Sequence, residues 1–195
     1  IKNGRPGVDY AQIGGHDTYI SSLDVRVLGV AGGSMIRVNK SGVHDVGPRS
    51  AHIAGLDYAV FTDEDEIVEP QLEFFSPKEG DPEDYVAIRL KSGKRITITN
   101  SCAANVLGLV TPRDFSYGNV NAARKAMQPI ADYLNTTVED VAAQILTRAY
   151  EKIEPIIMEL ADKYRLEHDQ ISLVGVGGGA TSLIGFCANK MNIKY

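Results

Sequence analysis

Tryptophan is missing from this chain of 195 residues, and only two cysteines and four histidines occur in it. Cys102 and Cys187 lie far apart with no CxxC spacing, so neither a disulfide framework nor a cysteine-based zinc site is supported. The pair fits a reducing, cytoplasmic setting. No apolar run approaches the roughly 18 residues that a membrane-spanning helix requires. A basic excess is lacking too: 20 Lys and Arg stand against 25 Asp and Glu, a net charge of -5. A nucleic-acid or membrane-surface partner would call for a basic patch, so neither is expected. Ile1 carries no initiator Met and no signal-peptide pattern follows it, which reads as an excised piece or a processed product. Apolar residues make up 44%, enough for an ordinary core within one domain or one and a half.

The chain is organised around a stretch near its end. Ile171 to Val176 is a mostly apolar run, Gly177, Gly178 and Gly179 follow, and an apolar segment continues through Ile184 and Phe186. The pattern predicts a buried strand, a tight turn and a helix. Such a unit points free N–H groups and the positive end of a helix dipole at whatever covers the turn. By itself it is equally a packing turn without a ligand.

Upstream, Asn3-Gly4 is a hairpin turn signal. His16 beside Asp17, after Gly14-Gly15, reads either as a base with its orienting carboxylate or as a surface loop. Asp24 to Leu28 is predicted as a strand that breaks at Gly29-Val30-Ala31-Gly32-Gly33-Ser34 and resumes at Met35 to Val38. No Lys-Ser/Thr pair follows these glycines, so this is not a P-loop, and a strand stands where a dinucleotide fold would have a helix. The break is either a backbone packing point or a loop that brings amides and the Ser34 hydroxyl to a substrate. Gly47-Pro48-Arg49-Ser50 precedes a predicted short helix over 51–61, where Arg49 and Ser50 could meet an anion or Ser50 could act only as a cap.

Residues 62–100 differ in composition: an acidic run, three strands at Gln71 to Phe75, Tyr85 to Leu90 and Arg95 to Thr99, and prolines between them. They read as a small antiparallel β insertion between 1–61 and 101–195. Beyond it the sequence turns helical. A short helix is expected at Cys102 to Leu109 and another at Asn121 to Leu134, kinked or broken near Pro129. A long one follows with Val141, Ile145, Leu146, Ala149, Ile153, Ile156, Ile157 and Leu160 at helical steps, bent at Pro155. Thr136 and Glu139 stand at capping-box spacing before it. The class is α/β or α+β.

Three blocks, Gly29 to Ser34, Val46 to Ala51 and Val174 to Ala180, resemble in that order blocks of the hydantoinase A/5-oxoprolinase family. The Gly47-Pro48-Arg49-Ser50-Ala51 block is the most specific of them. The resemblance implies an actin-like ATPase (ribonuclease H-like) domain and ATP-dependent chemistry, with Mg²⁺, on a cyclic amide or, in related carboxylases, a ketone. Phosphorylation would activate the carbonyl oxygen and open the carbon to attack. It implies an adenosine-side role for Gly177, Gly178 and Gly179 and a phosphate-side role for Gly32, Gly33 and Ser34. His16, Ser34, Arg49 and Ser50 are the candidate catalytic residues, and no metal ligand is assigned. The partners implied are the small cyclic amide or ketone and a second, hydantoinase B-like subunit, with homo-oligomerisation open.

The chain also departs from the family pattern. No Asp-x-Gly-Gly-Thr occurs in it, so the phosphate loops are expected outside these residues and the piece alone is expected to be inactive. A non-catalytic nucleotide-binding or structural subunit of the same fold is the alternative. In the enzymatic reading His16, Ser34 and Arg49 should converge on one cleft with Gly177 to Gly179; in the structural reading they should scatter. A sugar- or acetate-kinase-like phosphotransferase would share the glycine turn but has no reason to carry Gly-Pro-Arg-Ser-Ala.

Overall fold

Apolar residues two apart set the faces of the sheet. In a computed structural model of the chain, residues 1–2, 4–13 and 16–195 are described. Strand β3 (Ser34–Asn39) turns into β4 (Gly42–Ser50), and its Ile36 and Val38 point to one side. Val86 and Ile88 of β7 (Tyr85–Arg89) and Ile96 of β8 (Arg95–Thr97) point the same way, into the main core. The alternate residues Met35, Tyr85 and Ala87 form a second, smaller cluster on the other face with Ala51 and Leu56. Side chains that alternate across a strand produce this division.

The sheet curls around β7. Strand β6 (Gln71–Phe75) pairs along the whole of β7, β3 joins at Tyr85, and β8 joins at Ile88 and Arg89. Strand β5 (Asp57–Tyr58) closes the path parallel to β8, giving the order β4-β3-β7-β8-β5 in a mixed sheet. Segment 62–100 therefore shares backbone hydrogen bonds with β3 and β5, which precede it in sequence.

Four helices complete the mixed α/β architecture: α1 (Asn100–Val106), α2 (Val120–Leu134), α3 (Val138–Lys163) and α4 (Ala180–Met191). Helix α2 begins on the Asn119 side chain, which accepts from Ala122 N, and ends at Asn135 in the left-handed conformation. It runs through Pro129 without a break, with Ala122, Ala126, Met127 and Ile130 buried. Helix α3 likewise includes Pro155. Its stripe is buried from Val141 to Ala149 and half-buried from Ile153 to Leu160. Its cap is Thr137, one residue later than the predicted box, and accepts from Asp140 N at 3.1 Å. No helix of the described residues is long and apolar enough to cross a membrane.

Three expectations change. Residues 51–61 form turns, β5 and a single 3-10 turn at Ala59–Phe61 instead of a helix, because β5 is drawn into pairing with β8. Residues 171–176 form no strand: only Ser172 is bridged, to Lys194. Val174 and Val176 are 81% and 87% exposed, so the run is not a buried strand. Asp24 to Leu28 forms no strand either, with Val25 and Val27 exposed. The N-terminal hairpin consists of β1 (Val8–Ile13) and β2 (His16–Leu23) and pairs only with itself among the described residues. Asn3 of the expected turn and Gly14-Gly15 lie outside the described residues. Lys2 and Arg5, which flank that turn, do exchange backbone hydrogen bonds.

Candidate functional site

The three glycine-bearing blocks come together in space. A Cβ on Gly179 would lie 2.7 Å from Gly32 N, and one on Gly32 would lie 2.9 Å from Gly179 Cα, so the two backbones touch. Only residues without a side chain permit that approach. Gly177 holds φ of +86° in the same turn, and its carbonyl accepts from Ala180 N as α4 begins. The Gly-Pro-Arg-Ser block stands behind: Pro48 Cβ would be 2.5 Å from a Cβ on Gly29, and Ala51 N donates to Gly33 O at 3.0 Å.

Helix α1 fixes the first block. Ser101 N, a first-turn amide without a helical partner, donates to Gly32 O at 2.9 Å, and Asn100 Nδ2 donates to Ala31 O at 2.8 Å. The second wall is the loop between α1 and α2. Asn105 ties it down by donating to Ser101 O and Ser116 O and accepting from Gly118 N. The Ser116 and Thr181 hydroxyls, 2.6 Å apart, join it to α4. The loop thereby lays the Phe115 ring against Gly178, where an added Cβ would meet it at 2.6 Å.

These parts enclose a cleft of about 210 Å³. Gly32, Gly33, Gly178 and Gly179 contribute backbone, while Tyr58, Phe61 and Phe115 contribute rings. Tyr58 and Phe61 stack on each other with centroids 5.7 Å apart. Burial pushes the Tyr58 phenol above its ordinary range, so it stays protonated beside Gly33. Ser101 reaches the cleft as well and is 4% exposed.

The candidate catalytic residues divide. Ser34 borders the first block but turns inward, 3% exposed, and its Oγ accepts from Ala31 N at 2.9 Å. Ser50 pairs with Ser34 across β3 and β4 and accepts weakly from Ile53 N at 3.4 Å, as a cap does. Arg49 donates two hydrogen bonds to Asp81, at 2.7 and 2.8 Å. That hydrogen bonding holds the Asp81 carboxyl below its usual range and raises the guanidinium. His16 is exposed on β2; its expected pairing with the Asp17 side chain lies outside the described residues. Neither His16 nor Arg49 lines the cleft, whereas Gly32, Gly33, Gly178 and Gly179 do.

A larger cavity, about 420 Å³, lies between the β1–β2 hairpin and α3. Its charges are matched internally: Arg26 binds Asp24 and Glu159, and Lys163 binds Asp9 and Asp24. Such a network fixes the hairpin and engages both cations, Arg26 and Lys163, with carboxylates.

Sequence reasoning missed Ser101, Tyr58, Phe61 and Phe115. An aromatic residue in a polar loop between two helices was the one available signal, at Phe115-Ser116-Tyr117-Gly118. For Mg²⁺ and phosphate the residues do not fit: no charged side chain lines the cleft. No group of three His, Cys, Asp or Glu among the described residues could hold a metal ion.

Compared with protein-family models, the chain matches the one described as hydantoinase/oxoprolinase over residues 1–195. No curated protein and no solved structure gives a significant match.

Proposed function

Because the chain belongs to the hydantoinase/oxoprolinase family, we propose that it is part of an ATP-dependent enzyme that opens a cyclic amide, built on an actin-like ATPase domain. The observation that carries the reading is the contact of Gly32 with Gly179, which joins two of the three family blocks in one cleft. ATP would supply the phosphoryl group that turns the amide oxygen into a leaving group. Nothing in these residues is assigned to Mg²⁺ or the phosphates. The contribution of this chain is to bind and orient: the glycines let a ligand approach backbone, and the Asn105-anchored loop closes one side.

A non-catalytic, nucleotide-binding or structural role is the second reading, and two positions favour it. Arg49 is engaged by Asp81 and His16 stands away from the cleft, so neither offers a free base or anion binder there.

The test is turnover by the full-length protein together with its hydantoinase B-like subunit, supplied with Mg-ATP and either hydantoin or 5-oxoproline. The enzymatic reading expects ADP release that depends on the amide. ADP release indifferent to both amides, with nucleotide still bound, would transfer support to the second reading.

A further inference from the structure

Two backbone edges of this molecule have no partner. Strand β1 pairs with β2 on one edge and, among the described residues, with no strand on the other. A two-stranded hairpin is marginally stable by itself, and Val8 and Tyr10 of β1 are exposed. The second edge belongs to the run before the glycine turn. Leu173 N donates to Lys194 O at 2.8 Å on one side, whereas the amides of Ser172, Val174 and Val176 have no backbone acceptor among the described residues. A Cβ on Gly175 would lie 3.0 Å from both Ala180 Cβ and Ile184 Cγ2, so α4 covers one face of the run. Val174 and Val176 leave an apolar surface away from that helix.

A trough joins the two edges. One part of it, about 520 Å³, lies against Arg5, Gly7, Val8 and Tyr164, and another, about 450 Å³, against Ile1, Leu166, Ile171 and Ser172; Lys2 lines both. The backbone at Lys2 already behaves there as a strand. Lys2 N donates to Arg5 O at 2.8 Å and Arg5 N donates to Lys2 O at 3.0 Å, which makes an antiparallel rung. The Lys2 ammonium donates to Tyr164 O at 2.6 Å and fixes that rung to the end of α3. Backbone entering through Ile1 therefore has the arm that becomes β1 on one side and Ile171 and Ser172 on the other. Unpaired edges with apolar residues invite strand addition, and native proteins cover them.

We propose that the trough is a strand slot, filled by the stretch of the same polypeptide that leads into Ile1, paired with β1 on one edge and with residues 172–176 on the other. The inference rests on the reading above in one respect, that the chain is part of a larger enzyme. The occupant supplies main-chain carbonyls to the amides of Val174 and Val176 and apolar side chains to the surface that these valines share. Hairpin and glycine run then belong to one sheet, and the turn at Gly177 to Gly179 is held from its strand side as well as by α4.

Hydrogen exchange of the full-length protein tests it. The amides of Val174 and Val176, together with those of the stretch that leads into Ile1, should exchange at least about tenfold slower than in an unstructured peptide, the effect of one ordinary hydrogen bond each. That protection should persist on dilution and in the absence of the second subunit. Val174→Asp in the full-length protein should lower the melting temperature, because the slot would bury a carboxylate; at a free surface the same change is nearly neutral. The proposal is overturned if Val174 and Val176 exchange at the unstructured rate, or if Val174→Asp melts as the wild type does. Protection that fades on dilution marks a second copy as the occupant, and protection that needs the second subunit marks that subunit; either overturns it too. Amide-dependent ADP release with Val174 and Val176 unprotected removes this inference and keeps the enzymatic reading. Protection in a protein that shows no such release does the reverse.

Discussion

Asn105 holds the site by satisfying backbone that helix α1 and the following loop would otherwise leave unpaired. It is 2% exposed, donates to Ser101 O and Ser116 O at 2.8 Å each, and accepts from Gly118 N at 3.0 Å. Truncation strands the Ser116 carbonyl and the Gly118 amide, and each unsatisfied buried group costs about 1–3 kcal/mol. Asn105→Ala is therefore expected to lower unfolding free energy by roughly 2–4 kcal/mol in urea titration and to speed amide exchange at 115–118. A loss confined to global stability, with that exchange unchanged, would contradict its role as the loop's anchor. Gly179 makes the complementary case. An alanine there meets Gly32 N at 2.7 Å, a backbone contact that cannot rotate away, so Gly179→Ala should cost about 1–3 kcal/mol by the same titration. The glycines were legible because their chemistry is local. Ser101 and Phe115 were not, since their importance comes from neighbours distant in sequence.

Helix α3 and the N-terminal hairpin show what an element owes to its partners. The apolar stripe of α3 is written at three- and four-residue steps, so its existence could be read directly. The docking of β1–β2 on its end could not, because it depends on charges some 140 to 154 residues apart in the chain. Lys163 donates to Asp9 at 2.5 Å and lies 2.7 Å from Asp24, while Tyr164 Oη donates to Asp24 at 2.6 Å. The hydrogen bond from Lys163, and then that from Tyr164, holds the Asp24 carboxyl far below the usual carboxylate range. Asp24, followed by Asp9, raises Lys163 to about 12. A lowered carboxyl pKa means that its stabilisation is present above the ordinary value near 4 and is lost as pH falls through the folded value. A raised lysine pKa means stabilisation present below the ordinary value near 10.4 and lost as pH rises through about 12. Hairpin docking should thus be constant between about pH 5 and pH 10 and weaken outside that window. Amide exchange of residues 8–23 checks it, and Lys163→Met should expose the same amides at pH 7. Unchanged exchange in that variant would show that the hairpin is held by something else. Residues 171–176 give the opposite lesson. Their composition predicts a strand, yet a strand exists only where a partner edge is present, and here only Ser172 finds one.

Across the whole molecule, one core unites segments that composition separates. Ile36, Ile88, Ile96, Ile130 and Ile145 belong to the same buried cluster, so residues from the apparent β insertion and from both flanks share it. Ile88 is fully buried on β7, the strand that three others join. Ile88→Ala should cost about 2–5 kcal/mol, which for a chain of this size lowers the melting temperature by at least about 4 °C. Calorimetry checks both that value and whether a single transition persists; a separate early transition would mark 62–100 as an independent unit. By itself the sequence determined the helices, the β6 to β8 strands and the family blocks, since periodicity, turn residues and short motifs act over a few neighbours. Only the tertiary structure decided that these blocks meet at Gly32 and Gly179 and that Phe115 and Ser101 complete an uncharged cleft. It also decided that Arg49 is spent on Asp81. Contacts between residues far apart in the chain depend on how the sheet curls and where the helices pack, and no local pattern encodes that.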